Sequence, residues 1–199
     1  MDGALTIGAL SLIAGYLVYD TYFMGAREWI ESRVDGEKYL VQSDYPDKQE
    51  AADMLAQMRK RLETLVEHLG KMMPSDPRTQ RIVLKFQPDK MEEGRDSKKY
   101  SSYTIEKGEK IIFCLRSKDA KKELSDLNTM MFVALHEIAH IASKGIGHGD
   151  EFWDNFRWIL EEGINIGIYQ EVDYEKAPQQ YCGITISNSP LRPPSSQNH

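Results

Sequence analysis

The sequence predicts an α+β domain preceded by an N-terminal transmembrane helix, and three observations carry that prediction. The run from Met130 to Ala142 is apolar on every face apart from two His and one Glu, and reads as a buried helix. Short β-branched and aromatic runs, Arg81 to Phe86, Tyr100 to Ile105 and Lys110 to Leu115, supply a small sheet to pack on it. Residues 4–19 carry no charge; extended to Met24 they reach about 31 Å as a helix, enough for a bilayer core of about 30 Å.

These observations divide the chain into an anchor (1–25), a juxtamembrane linker (26–46), the α+β domain (47–175) and a Pro/Ser-rich tail (176–199). With 199 residues and 41% hydrophobic content, one domain with appendages is supported and two would be crowded. For residues 4–24 the competing readings are a signal peptide, which wants a positive start where this chain has Met1-Asp2, and a buried or interfacial helix. Tyr16, Tyr19 and Tyr22 suit an interfacial aromatic belt. Arg27, Arg33 and Lys38 follow the segment and no cation precedes it, which predicts a single-pass membrane protein with its domain in the cytosol.

Ala51, Met54, Leu55, Met58, Leu62, Leu65, Val66 and Leu69 keep a helical period that Gly70 stops. His68 lies at the negative end of that helix and needs no metal role. Pro74, Asp76 and Pro77 mark a loop before the expected strand at 81–86, and the charged stretch 89–99 reads as a solvated loop. Glu106-Lys107-Gly108-Glu109 reads as the turn of a hairpin. Phe152, Trp153, Phe156, Ile159 and Leu160 give a second core-facing helix, and the tail from Ser187 is expected to be loosely ordered.

The chemistry is concentrated in His136-Glu137-Ile138-Ala139-His140. Two imidazoles and a carboxylate buried without partners would cost several kcal/mol, so pairing or a metal is required. Residues four apart share a helical face, and both imidazoles can reach one Zn²⁺ at about 2.0–2.1 Å. Glu137, about 100° around the helix, reaches a water on that ion without ligating it. With five His and seventeen Glu in the chain, chance produces this spacing roughly 0.01 times. His148, set between Gly147 and Gly149, is the favoured third ligand; Asp150, Glu151, Glu161 and Glu162 compete with it.

Leu135-His136-Glu137-Ile138-Ala139-His140 followed by His148-Gly149-Asp150-Glu151-Phe152-Trp153 resembles the WLM-domain and SprT-like zinc metalloproteases over roughly residues 80–165. The resemblance implies a minimal zincin-like fold, with His136, His140 and His148 as zinc ligands, Glu137 as general base, and Phe152 and Trp153 packed under the site. It also implies a polypeptide substrate held along one edge of the hairpin, and membrane-anchored kin among large DNA viruses. An oxyanion stabiliser is expected from Tyr169, Tyr174 or Tyr181.

A net charge of −6 and a pI near 5.4 argue against nucleic acid as a partner, although a branch of that family acts on DNA–protein crosslinks. Cys114 and Cys182 are too few for a disulfide framework and read as free thiols in a reducing compartment; Cys182 as a zinc ligand is the lesser option. The expected function is a membrane-anchored zinc endopeptidase. The alternative is a zinc-containing scaffold that links a membrane to an assembly such as a virion shell through the tail.

Overall fold

The computed structural model describes residues 26–95 and 101–192. Among the described residues there are four α-helices: α1 (Lys48–Met72), α2 (Pro77–Lys85), α3 (Leu127–Ala142) and α4 (Asp150–Asn165). Helix α1 aligns Leu55, Met58, Leu62, Leu65 and Leu69 on one buried stripe, and that stripe faces the core shared with α3. Asp126 starts α3 by accepting the Thr129 N–H at 2.9 Å, so the apolar run is helical from its first turn. Helix α3 then packs on α1, α2 and α4, which is why nearly all its side chains are buried.

The strands make three small sheets. Strand β1 (Arg27–Glu31) pairs antiparallel with β2 (Lys38–Gln42), Trp29 opposite Leu40. A three-stranded sheet has the order β3 (Met91–Glu93), β5 (Lys110–Phe113), β4 (Tyr103–Ile105), parallel between β3 and β5 and antiparallel between β5 and β4. Strand β4 is therefore an edge. Finally β6 (Gln179–Tyr181) and β7 (Ile184–Ile186) form a hairpin whose turn, Cys182-Gly183, has positive φ at both residues, the geometry a two-residue connection favours.

Several expectations are corrected. The strand expected at 81–86 is part of α2. Pro77 occupies the first turn, and the Asp76 carboxylate caps it by accepting the Arg78 N–H at 2.8 Å, so helix initiation overrides the β-branched composition. Burial follows the helical period: Thr79, Ile82 and Phe86 are inside while Val83 and Leu84 are exposed. Residues 26–46, expected as a linker, form the β1–β2 hairpin and pack on α1. The charged stretch expected as a loop contains β3, whose Glu92 and Glu93 are buried because cations meet them. Arg27 and Lys110 hold Glu92, and Arg116 holds Glu93. The tail folds through Arg192, which pairs with Glu171 and Asp173.

Cys114 and Cys182, read as free thiols, are joined in a disulfide across 68 positions of sequence, with Cα atoms 6.0 Å apart. The β6–β7 turn lies on the exit of β5, a proximity that no local pattern encodes. The disulfide also rules out Cys182 as a metal ligand.

The anchor expected at 1–25 lies outside the described residues. Among the described residues, no helix is long and apolar enough to cross a membrane. The transmembrane helix and the single-pass, cytosol-facing location inferred from it have no support among the described residues and are withdrawn; those residues form an α+β arrangement of four helices and three small sheets.

Candidate metal centre

Helix α3 presents His136 and His140 one turn apart on one face, and the segment 143–149 returns His148 to the same point. The Nε2 of His136 lies 3.2 Å from that of His140 and 3.1 Å from that of His148. Neutral imidazoles cannot satisfy one another in this way, since one Nε2 offers either a single proton or a single lone pair to two neighbours. Nitrogens bound to one tetrahedral zinc at about 2.05 Å would stand about 3.3 Å apart, close to what is seen. Among the described residues, these three form the one His/Cys/Asp/Glu group close enough to share an ion, their donor atoms lying within 4.8 Å of one another. Among the described residues no fourth His, Cys, Asp or Glu donor joins them, so an ion held by these three alone would keep a position open.

Phe152 from α4 sits beneath the cluster, its ring centroid 4.8, 4.4 and 4.6 Å from those of His136, His140 and His148. It is buried, whereas Trp153 beside it is 42% exposed and flanks only His148. Burial on this aromatic floor, then the neighbouring His140 and His148, lowers the His136 pKa to about 3. Burial, His148 and the Lys107 ammonium lower that of His140 to about 4. Both rings are thus held neutral, the form that binds metal.

Glu137, on the adjacent face, is 3% exposed, and its Oε2 is a buried oxygen with no hydrogen-bond partner. Burial raises its pKa to about 8, and a bond from the backbone N–H of Thr104 in β4 opposes the rise. A buried carboxyl with one unpartnered oxygen therefore stands beside three converging imidazole nitrogens. Three nitrogen donors and an open corner fit Zn²⁺ well.

A cleft of about 680 Å³ opens over these groups. Ser102, Tyr103 and Thr104 of the β4 edge form one wall and the 145–148 loop the other. Of the three tyrosines considered from sequence, Tyr169 and Tyr174 are buried against Phe132 and do not line the cleft. Tyr181 reaches its wall indirectly: its hydroxyl hydrogen-bonds the Ser102 Oγ, which also accepts the Cys114 N–H at 2.9 Å.

The competing acids are engaged elsewhere or outside the cluster. Glu151 accepts the N–H groups of Lys144 and Gly145, and Glu162 pairs with His68 at 2.9 Å. Asp150 and Glu161 are not members of the cluster. Sequence reasoning missed Ser102, Thr104 and Lys107. The expected strand 100–105 and its turn contained them, and the resemblance set one hairpin edge at the substrate, but the sequence did not say which strand would be outermost or which side chains would face the cleft.

Over 168 residues, 82% of this chain and 84% of the relative, the sequence is 32% identical to the uncharacterized protein R325 of Acanthamoeba polyphaga mimivirus. This chain belongs to that family. It is also 24% identical over 188 residues to the uncharacterized protein 136R of Invertebrate iridescent virus 6, covering 92% of this chain and 98% of that one. The uncharacterized protein 042R of Invertebrate iridescent virus 3 is 41% identical over 68 residues, 34% of this chain and 42% of the relative. All three relatives are viral, and their names state no activity. No family model matches the chain. No solved structure matches it either, so the minimal zincin-like fold expected from the motif is withdrawn as a description of the architecture.

Proposed function

We propose that this protein is a metal-dependent peptidase, with zinc held by His136, His140 and His148 and Glu137 as general base. The observation that carries the reading is the convergence of three imidazole nitrogens beside a buried, partly unsatisfied carboxylate at the floor of an open cleft. The resemblance of the H-E-x-x-H…H pattern to WLM-domain and SprT-like enzymes supports the same roles for these residues. A divalent cation here would acidify a water molecule and polarise a carbonyl.

The chain's own groups do the rest. Glu137 accepts the water's proton and delivers it to the leaving amine. Phe152 fixes the planes of the imidazoles and keeps water from beneath them. The edge of β4 offers main-chain hydrogen bonds to an extended segment, which favours a polypeptide over a small molecule. Tyr181 and Ser102 hold that edge in place. Zinc kept for stability alone calls for a closed site, and among the described residues no fourth His, Cys, Asp or Glu donor closes this cluster, which weighs against that alternative.

The test is digestion of an unfolded protein such as casein by zinc-loaded protein. Cleavage that a chelator stops, and that the metal-loaded Glu137→Gln variant lacks, is the expected result. Equal cleavage by that variant removes Glu137 from the mechanism, and no cleavage by the wild type removes the peptidase.

A further inference from the structure

His148 is the weakest-held member of the cluster by its surroundings. It is exposed, it follows Gly147 with a φ of +82°, and its neighbour Ile146 is 98% exposed, so burial does not fix the loop. What fixes it lies just upstream. Helix α3 ends at Ala142, where the last carbonyls have no intrahelical donor. Lys107, in the β4–β5 turn, donates from Nζ to the Ser143 carbonyl at 3.0 Å, the Gly145 carbonyl at 2.9 Å, and the Lys144 carbonyl between them. Arg81 from α2 donates to the Ala142 carbonyl at 2.6 Å. From the opposite side, Glu151 takes the Lys144 and Gly145 N–H groups.

The position of Lys107 is built into the turn. Glu106 and Lys107 both adopt positive φ, at 47° and 52°, and Gly108 is packed so tightly that a Cβ would lie 2.8 Å from the Lys85 carbonyl oxygen and 2.9 Å from Ile141. The turn therefore seats directly on the ends of α2 and α3. A compact ammonium can send three N–H groups to carbonyls clustered around one point, which a planar guanidinium cannot. It also supplies positive charge at the negative end of the helix.

We propose that Lys107 is a positioning residue for the metal centre, its ammonium gathering the carbonyls of residues 143–145 so that the loop presents His148 to His136 and His140. The role rests on the metal-centre reading above.

The test is zinc affinity of the full chain, measured by competition with a chromophoric chelator, together with the visible absorption of the Co²⁺-substituted protein. Lys107→Met should weaken zinc binding roughly 10–100-fold, the usual cost of losing a group that orients a ligand, and shift the Co²⁺ bands toward those of His148→Ala. Lys107→Arg should fall between, which guards against a general folding defect. In the His148→Ala background, Lys107→Met should change affinity less than about twofold, because the ligand it places is gone. Equal losses in both backgrounds, or no loss in the wild-type background, overturns the positioning role while leaving the metal centre standing. A wild-type chain that binds neither ion overturns both.

Discussion

Two regions of this molecule bury charge, and they do so in opposite ways. Around β3, Glu93 is fully buried yet answered at every turn. The Arg116 Nε lies 2.9 Å from its Oε1, the Gln42 N–H donates to its Oε2 at 2.7 Å, and Arg116 goes on to Asp47. Burial pushes the Glu93 carboxyl upward, and Arg116 and the Gln42 amides pull it back. Around α3, Glu137 is almost as deep but has one backbone N–H and a bare oxygen, while the Nε2 atoms of three imidazoles converge beside it. In the first arrangement both carboxylate oxygens have partners, although the Arg116 Nη2 has none, and it serves the fold; in the second the carboxylate itself carries the unpartnered oxygen. Depth of burial alone does not separate a structural carboxylate from a functional one, whereas the state of its partners does.

Substitutions should divide along the same line. Glu137→Gln is expected to reduce peptidase turnover on the order of 10²–10⁴-fold, with one zinc still bound per chain; loss of the metal along with activity would place Glu137 among the structural carboxylates. Arg116→Met strands Glu93 and should cost about 3–5 kcal/mol of unfolding free energy by denaturant titration. Zinc affinity of the folded fraction should be unchanged, and a parallel loss of zinc would show that the two regions are not independent. Replacing both Cys114 and Cys182 by Ser should cost about 2–5 kcal/mol, measured the same way, because the closed loop is long.

The smallest effect concerns pH. In the metal-free fold the Glu137 pKa lies at about 8 against 4.5 for the free side chain, so the native state keeps a proton that the unfolded chain releases. Native stability therefore falls as pH rises between those values. Metal-free Glu137→Gln lacks that loss. Its stability advantage over wild type should be near zero below pH 4.5 and reach on the order of a few kcal/mol above pH 8. His136 and His140, lowered to about 3 and 4, act on the acid side, where stability is lost as pH falls below 6.5; they are common to both proteins and cancel in the difference. Melting curves across that range decide it: an advantage that does not vary with pH contradicts a strained carboxyl at Glu137.

Much of the site was legible in the sequence because its chemistry is local. The i, i+4 spacing of His136 and His140 on an all-apolar helix dictates their shared face, and glycines on both sides of His148 allow the return. The amphipathic period of α1 and the aromatic period of α4 were likewise readable. Composition misled where a short-range cap competed with it. Ile82-Val83-Leu84 suggests a strand, but Asp76-Pro77 had already started a helix. It misled again at Glu92-Glu93, where charge suggests solvent and distant cations permit burial.

Alone, then, the sequence determined helices α1, α3 and α4 with their buried faces and the two histidines and carboxylate on α3, since neighbours within one or two turns set these. Tertiary structure decided the rest: that His148 completes the cluster, that β4 is the outer strand, that Cys114 meets Cys182, and that Lys107 grips the loop beyond α3. Those pairings join residues 12 to 68 positions apart. They depend on how whole elements pack to satisfy polar groups removed from water, which no local periodicity records.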